Sequence, residues 1–231
     1  MQVLHAAHND LHSIPDSVGD LTSLSDLRLN DNQLLVLPID LGSLTSLTRI
    51  TLHNNPLRSP PQEVVERGEK ETIYYLYMYV QSRKTRELDL SFLKLSELPE
   101  QISELQDLQR LTLKDNNITN LARDIGKMSK LTELDLKRNN MLSIPEEIGR
   151  LNAMTTLDLS VNRISELPAA IGGCVSMVTL RASENRLTEL PAGIGNMPGL
   201  RSLMLKQNAL SYVHPAIGNC GELLEVRLLP L

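Results

Sequence analysis

The sequence predicts an α/β solenoid, with a curved parallel β-sheet on its concave face and short helical or irregular segments on its convex face. Three observations predict this fold class. Apolar residues recur with a period of 23 residues along nearly the whole chain of 231 residues. An asparagine, a proline and a glycine recur with the same period. A fixed period of about 20 to 50 residues is typical of stacked repeats, because a single repeat cannot bury its apolar edge alone.

One repeat, residues 131–153, shows the pattern clearly as LTELDLKRNNMLSIPEEIGRLNA. Its first part predicts a short strand, with Leu134 and Leu136 inside and Asp135 outside, because side chains alternate between the faces of a strand. Pro145 then marks the turn into the return segment. In register, nine repeats and a partial tenth begin at Met1, Leu24, Leu47, Thr85, Leu108, Leu131, Met154, Met177, Leu200 and Leu223.

The asparagines form a ladder with one member in most repeats. A carboxamide carries two N–H donors and an acceptor oxygen, so it can satisfy backbone groups in its own and the adjoining repeat. We therefore predict a structural role for the ladder. Leu93 takes the asparagine position in the fourth repeat, and Ala122 takes the proline position in the fifth. The ladder comprises Asn9, Asn32, Asn55, Asn116, Asn139, Asn162, Asn185 and Asn208.

The motif LxxLxLxxNxLxxLPxxIGxLxx resembles the leucine-rich repeat, in the version common among cytoplasmic Ras-group, Erbin and Scribble-like proteins. The resemblance covers nearly the whole chain. It implies a leucine-rich-repeat solenoid that serves as a scaffold or adaptor in intracellular signalling and binds a protein partner on the concave sheet. It also implies a cytoplasmic location and a partner such as a small GTPase or a phosphatase, although no residue identifies either one.

A second interpretation gives the chain a different role. In it, the repeats are the recognition or targeting arm of a larger multidomain enzyme, such as a kinase, a GTPase or a ubiquitin ligase, whose catalytic domain is absent here. The two interpretations share the same binding surface. A longer open reading frame around this segment would distinguish them.

The period is interrupted once, which divides the chain into three parts. A first block of three repeats covers 1–69, an inserted helical extension or internal cap covers 70–84, and a second block of six repeats plus a partial tenth covers 85–231. The interruption predicts a strand sheet that is bent or broken between the third and fourth repeats. It also predicts a contact between Phe92 or Leu93 and the helix.

The inserted segment predicts a helix whose inner face carries residues spaced at i, i+3, i+4 and i+7. This spacing places Tyr74, Tyr75 and Met78 off the inner face. They either pack against the neighbouring fourth repeat or form a second candidate patch for a partner, since exposed apolar clusters mark contacts. The predicted inner face consists of Ile73, Leu76, Tyr77 and Val80.

Several function classes find no support in the sequence. The 23 basic residues are outnumbered by 28 acidic ones, so we expect no nucleic-acid partner. The longest uncharged run is too short and too polar to cross a bilayer, so we expect no membrane insertion. The chain contains no Walker loop, GxSxG motif or CxxC motif. We therefore expect no enzyme activity and no cofactor.

Neither the histidines nor the cysteines predict a site. His5, His8 and His12 are close in sequence but do not converge, so we expect no metal. Cys174 and Cys220 occupy the same position two repeats apart. Stacked strands would separate them by about 10 Å, beyond the reach of a disulfide, so we predict buried free thiols, which fit a reducing intracellular setting.

The outward positions of successive strands are the remaining candidate site. They carry mixed charges, with an acidic line through the middle and basic residues beside it. One interpretation is a solvated face whose charges balance across strands. The other is a surface that selects a partner of complementary charge, with Phe92 as an aromatic anchor. The candidate partner-binding residues are Asp89, Phe92, Arg110, Lys114, Glu133, Asp135, Lys137, Arg138, Asp158 and Arg181.

Overall fold

The computed structural model describes residues 1–228 and divides into two compact units. The first unit comprises Met1–Arg86 together with Pro99–Ile102, and the second comprises Glu87–Leu98 together with the chain from residue 103 onward. The last three residues of the predicted second block lie outside the described residues.

The first unit contains a three-stranded parallel sheet. Leu4 pairs with Leu27, and Leu27 pairs with Ile50, so the register follows the 23-residue period. The 3₁₀ helices Asp16–Asp20 and Ile39–Ser43 carry the chain back between strands. The strands lie in sequence order and are β1 (Val3–His5), β2 (Asp26–Arg28) and β3 (Arg49–Thr51).

The second unit contains a seven-stranded parallel sheet, again in sequence order. Its strands are β4 (Glu87–Asp89), β5 (Arg110–Thr112), β6 (Glu133–Asp135), β7 (Thr156–Asp158), β8 (Thr179–Arg181), β9 (Ser202–Met204) and β10 (Glu225–Arg227). The return segments within this unit are 3₁₀ helices: Arg123–Lys127, Glu146–Arg150, Ala169–Gly173, Ala192–Asn196 and Pro215–Asn219. A further 3₁₀ helix, Glu100–Glu104, has its first three residues in the first unit.

The predicted interruption of the sheet is confirmed. Within residues 1–228, β3 pairs with β2 and β4 pairs with β5, and the two sheets are separate. The predicted contact between the helix and Phe92 or Leu93 stays a prediction.

Two helices follow β3, α1 (Gln62–Val65) and α2 (Glu69–Thr85). Both belong to the first unit, and α2 covers the helical extension predicted at 70–84. Between them Gly68 has φ of 121°, which a residue with a Cβ rarely adopts, so the two helices do not merge. Helix α2 packs against the 3₁₀ helix Ile39–Ser43 and so takes the stacking position that a 3₁₀ helix occupies in the other repeats.

The predicted inner face of α2 is wrong by about one position. Thr72, Tyr75, Leu76, Tyr79 and Ser82 are buried, while the side chain of Tyr77, predicted to point inward, is exposed. The reason is that residues 73–80 are apolar all round, IYYLYMYV, so periodicity does not select a face. Packing selects it.

Asparagine side chains connect consecutive repeats as predicted. The amide of Asn139 donates to Leu113 O at 2.9 Å and to Leu136 O at 3.0 Å, and its oxygen accepts from Ile118 N at 3.0 Å. Each such side chain thus satisfies groups in two repeats. The same triplet of bonds recurs at Asn32, Asn55, Asn116, Asn162, Asn185 and Asn208.

Leu93 takes the asparagine position after β4, the first strand of its sheet, whereas Asn9 at the equivalent position after β1 donates to Ala6 O and Ala7 O of its own repeat. No preceding strand of that sheet presents backbone groups that a side chain at this position would satisfy. The next asparagine instead serves the turn, since Asn116 Oδ1 accepts from both Leu93 N at 3.1 Å and Leu95 N at 3.0 Å.

Candidate functional site

The open face of the seven-stranded sheet carries the predicted partner-binding residues. In β6, Leu134 is buried while Glu133 is exposed and Asp135 half-buried, as the alternation of side chains requires. The strands pair in register, so outward residues 23 positions apart lie side by side in rows across the sheet.

The first row contains cross-strand ion pairs. The guanidinium of Arg110 lies 2.5 Å from Glu87 Oε1 and 3.9 Å from Glu133 Oε1. A cation between two carboxylates on neighbouring strands is a favourable cross-strand arrangement. At Arg110 and Glu133 the interpretation of balanced cross-strand charges therefore agrees with the geometry.

The second row contains the acidic line. Its order is Asp89, Thr112, Asp135, Asp158 and Arg181. Each aspartate accepts a hydrogen bond of 2.9 Å at Oδ1 from the backbone N–H two residues later, the geometry of an Asx turn. These aspartates therefore help to end their strands, in addition to presenting charge.

Two carboxylates lie next to each other in this row. Asp135 and Asp158 are directly paired on adjacent strands, where like charges are destabilising. Burial raises the pKa of the Asp135 carboxyl above its ordinary value, and the Asp158 charge raises it further. The bond from Lys137 N–H and the charges of Lys114 and Lys137 act in the opposite direction. The fold therefore maintains an electrostatically unfavourable pair here.

The neighbouring cations do not neutralise this pair directly. Among residues 1–228, Asp135, Lys137, Asp158 and Arg181 form no ion pair within 4 Å, unlike Arg110 in the first row. We call these four residues the central charge patch. Its two acids and two bases remain available for charges outside the chain.

An aromatic ring marks one edge of the face. Phe92 is 60% exposed, and Lys114 Nζ lies 5.8 Å from the centre of its ring, within the range of a cation–π contact. Lys114 also lies 3.7 Å from Asp115 Oδ2, and Arg138 lies 3.7 Å from Asp115 Oδ1. The structure thus places Lys114 and Arg138 beside the Asp115 carboxylate, and Lys114 also contacts Phe92.

That carboxylate, Asp115, is missing from the predicted binding residues. Its Oδ2 is buried and accepts no hydrogen bond in the structure. The sequence does contain a sign of this role. Asp115 lies between Lys114 and the ladder residue Asn116, and Arg138 occupies the equivalent position in the next repeat. Asp115 holds the two cations at this edge of the face.

The second candidate patch predicted on α2 is wrong at Tyr75. Tyr75 is buried, with its hydroxyl 3.0 Å from that of Tyr79, so it does not belong to a surface. Met78 is half-buried, and Tyr74 is 60% exposed. The exposed partner of Tyr74 is Tyr77, whose ring centre lies 6.3 Å from its own.

The cysteines are free and buried. The thiol of Cys174 donates to Ile148 O at 3.2 Å, and burial raises the pKa of Cys174 to about 11. A thiol with a raised pKa is a poor nucleophile, because the thiolate is the reactive form. Within residues 1–228, no helix is long and apolar enough to cross a membrane, and no cluster of histidine, cysteine and carboxylate side chains is arranged to hold a metal.

Comparisons with known proteins agree with this geometry. A family model described as "Leucine-rich repeat region" matches residues 123–231, and one described as "Leucine rich repeat" matches residues 83–141. No curated protein sequence matches significantly.

Several solved structures share the fold. Internalin C2 of Listeria monocytogenes is 20% identical with a TM-score of 0.53, and the match covers 99% of this chain and 80% of that chain. Internalin F of the same organism is 17% identical with a TM-score of 0.59, covering 99% and 67%. A chain in the Toll–Spatzle complex of Drosophila is 21% identical with a TM-score of 0.52, covering 98% and 26%.

At these identities the likeness shows the fold alone, an α/β leucine-rich-repeat solenoid. Leucine-rich-repeat domains generally mediate protein–protein interactions and are typically non-catalytic binding modules. The repeats, the ladder and the family models together show that this chain belongs to the leucine-rich-repeat proteins.

Proposed function

We propose that the open face of the seven-stranded sheet binds a protein partner through the central charge patch, with Phe92 as an aromatic anchor at its edge. In this role the chain is a scaffold or adaptor that brings its partner to other components of an intracellular signalling assembly. A partner segment that offers both a basic and an acidic group would satisfy the patch.

One observation carries the proposal. Asp135 and Asp158 stand side by side although their charges repel, and no cation forms an ion pair with either within the described chain. Sites that bind partners commonly retain such unfavourable arrangements because binding relieves them. In the same sheet, by contrast, the carboxylates of Glu87 and Glu133 both lie within 4 Å of the Arg110 guanidinium.

The resemblance of the repeats to the Ras-group, Erbin and Scribble-like type adds the finer parts of the proposal. These parts are a cytoplasmic location and a small GTPase or a phosphatase as the class of partner. The free cysteines Cys174 and Cys220 support a reducing compartment. Imaging of the full-length protein with a fluorescent tag tests the location, and recovery mainly outside the cytoplasm would contradict it.

The binding face is tested by carboxyl footprinting. The partner is captured with the whole protein and identified by mass spectrometry, and the purified complex is then labelled with a carbodiimide and glycine ethyl ester. We expect labelling of Asp135 and Asp158 to fall when the partner is bound. Glu166 and Glu189 lie outside the strands and should label equally in both states. Protection of this second pair alone would reject the proposed face.

A further inference from the structure

The first unit contains a groove beside α2 that the sheet face does not explain. Its volume is about 440 Å³, within the usual range of binding pockets. Leu44 and Leu47 line it from the repeat, and Ile73, Tyr74 and Tyr77 line it from the helix. All of these residues belong to the first unit.

The groove follows from the orientation of the helix. Packing of Tyr75, Leu76 and Tyr79 into the core turns Tyr74 and Tyr77 outward, where they are 60% and 43% exposed. Their rings are stacked at an interplanar angle of 26°. Two stacked and exposed aromatic rings above an apolar groove form a patch of the kind that marks interaction sites.

The charge of the groove indicates what it accepts. Lys70 is the one charged residue that lines it, and Lys70 forms no ion pair within the described part of the chain. The adjacent carboxylates are directed elsewhere, since Glu69 lies 3.9 Å from Arg49 and Glu71 lies near Gly68. The remaining polar lining consists of threonine and tyrosine hydroxyls, so the groove is apolar with one unneutralised cation.

We propose that this groove binds an acidic segment of a partner protein, in which a bulky apolar side chain lies next to a carboxylate. The apolar side chain enters between the tyrosine rings and Leu44 and Leu47, and the carboxylate pairs with Lys70. The groove and the sheet face share no residue, because the groove is built from the first unit and the sheet face from the second.

The test is a nuclear magnetic resonance titration of the whole ¹⁵N-labelled protein with a synthetic hexapeptide, two leucines flanked on each side by two glutamates. We expect saturable shifts of the amides at residues 44–48 and 70–77. A peptide with serines in place of the leucines should bind at least about tenfold more weakly, because it lacks apolar surface to bury. A peptide with lysines in place of the glutamates should not bind.

Variants make the test specific. Lys70→Glu should reverse the preference toward the lysine peptide, whereas Lys84→Glu, the same charge change at the far end of the same exposed helix surface, should leave it unchanged. Tyr74→Ala should weaken binding of the glutamate peptide by about tenfold while the circular dichroism spectrum stays unchanged, because the ring is mostly exposed.

Three results would overturn the proposal. One is the absence of shifts at the groove with the glutamate peptide. Another is equal binding of the glutamate and lysine peptides. The third is concentration-dependent self-association, measured by sedimentation, that Tyr74→Ala abolishes, because the groove would then hold a second copy of this chain.

Discussion

At the scale of single residues, the asparagine ladder shows how a polar side chain stabilises an apolar core. Asn139 is 7% exposed and forms bonds to three backbone groups in two repeats. Its removal leaves those groups unpaired in the interior, where water reaches them poorly. An unsatisfied buried group costs more than the bond itself contributes, so the ladder is more sensitive to substitution than its net hydrogen-bond energy suggests.

Replacement of Asn139 by leucine tests this role. We expect the free energy of unfolding to fall by about 1–3 kcal/mol or more, because Leu113 O, Leu136 O and Ile118 N each lose a partner. Urea denaturation followed by circular dichroism measures it. Asn120→Leu is the matched control, since Asn120 is exposed and should shift stability by less than about 0.5 kcal/mol. Equal midpoints for both variants would refute the structural role.

Val161 occupies a backbone conformation that does not suit it. Its φ is 60°, and the equivalent residue before the ladder asparagine has a similar φ in most repeats. A β-branched residue rarely adopts this left-handed conformation, whereas asparagine does so readily. Val161→Asn should therefore stabilise the protein by about 1 kcal/mol in thermal unfolding. Glu184→Asn, at the same slot without a β-branch, should give a smaller gain, and a larger one would contradict this explanation.

Asp135 is expected to reduce stability at neutral pH. Because its pKa is raised in the folded state, its contribution to stability is greatest below the unfolded value of about 3.9 and is lost as pH rises through the folded value. Asp135→Asn keeps an oxygen for the Lys137 N–H and removes the charge. We expect it to raise the urea midpoint at pH 7, with no difference below about pH 3.

The control for this prediction is Asp89→Asn. Asp89 forms the same turn, with Ser91, but its neighbour in the row is Thr112 and not a carboxylate. We expect no gain in stability there. A gain at Asp89 equal to that at Asp135 would show that the amide is favourable in every such turn and that repulsion by Asp158 is not the cause.

At the scale of elements, α2 depends on close contact with the second repeat. A Cβ added to Gly42 would lie 2.1 Å from Leu76 O and 2.7 Å from Tyr77 N, both backbone atoms of the helix. Arg83 supports the same contact through an ion pair of 2.7 Å with Asp40. The glycine therefore sets how near the helix can approach.

Gly42→Ala should separate these elements. We expect a loss of about 1–3 kcal/mol of stability, because neither backbone can move without displacing its neighbours. Hydrogen exchange should become faster in α2 but not in β6 and β7 of the second unit. Gly218→Ala is the control, since nothing lies within 4 Å of a Cβ there. Unchanged exchange in α2 would show that the contact does not hold the helix.

The sequence predicts the strand register correctly but not the buried face of α2. Strand register was predictable because one apolar position, Leu111 for example, repeats at 23 residues and each repeat stacks on the next. The buried face of the helix was not, since eight consecutive apolar residues give no periodic contrast. At Ala122 the sequence departs from the repeat pattern but the backbone does not. Ala122 adopts φ of −63° and ψ of 144°, like the prolines at the same position in other repeats. Ion pairing within the sheet face depends on side-chain positions that spacing does not determine.

At the scale of the whole molecule, the sheet face and the groove beside α2 offer two surfaces with different chemistry. The sheet face is charged and polar, and its four central residues lack ion pairs within the described chain. The groove is apolar with one cation. In the proposed function, the sheet face of the second unit is the surface that binds the partner.

The association rate of the captured partner tests this central claim most directly. Surface plasmon resonance at low ionic strength should give a rate at least about tenfold lower for Asp135→Lys/Asp158→Lys, because charge on this scale acts mainly on encounter. Asp135→Asn/Asp158→Asn, which keeps the turn bonds, should give an intermediate rate. Glu166→Lys/Glu189→Lys changes net charge equally and should stay within about twofold of wild type. A wild-type association rate for the first variant would contradict binding on the sheet face.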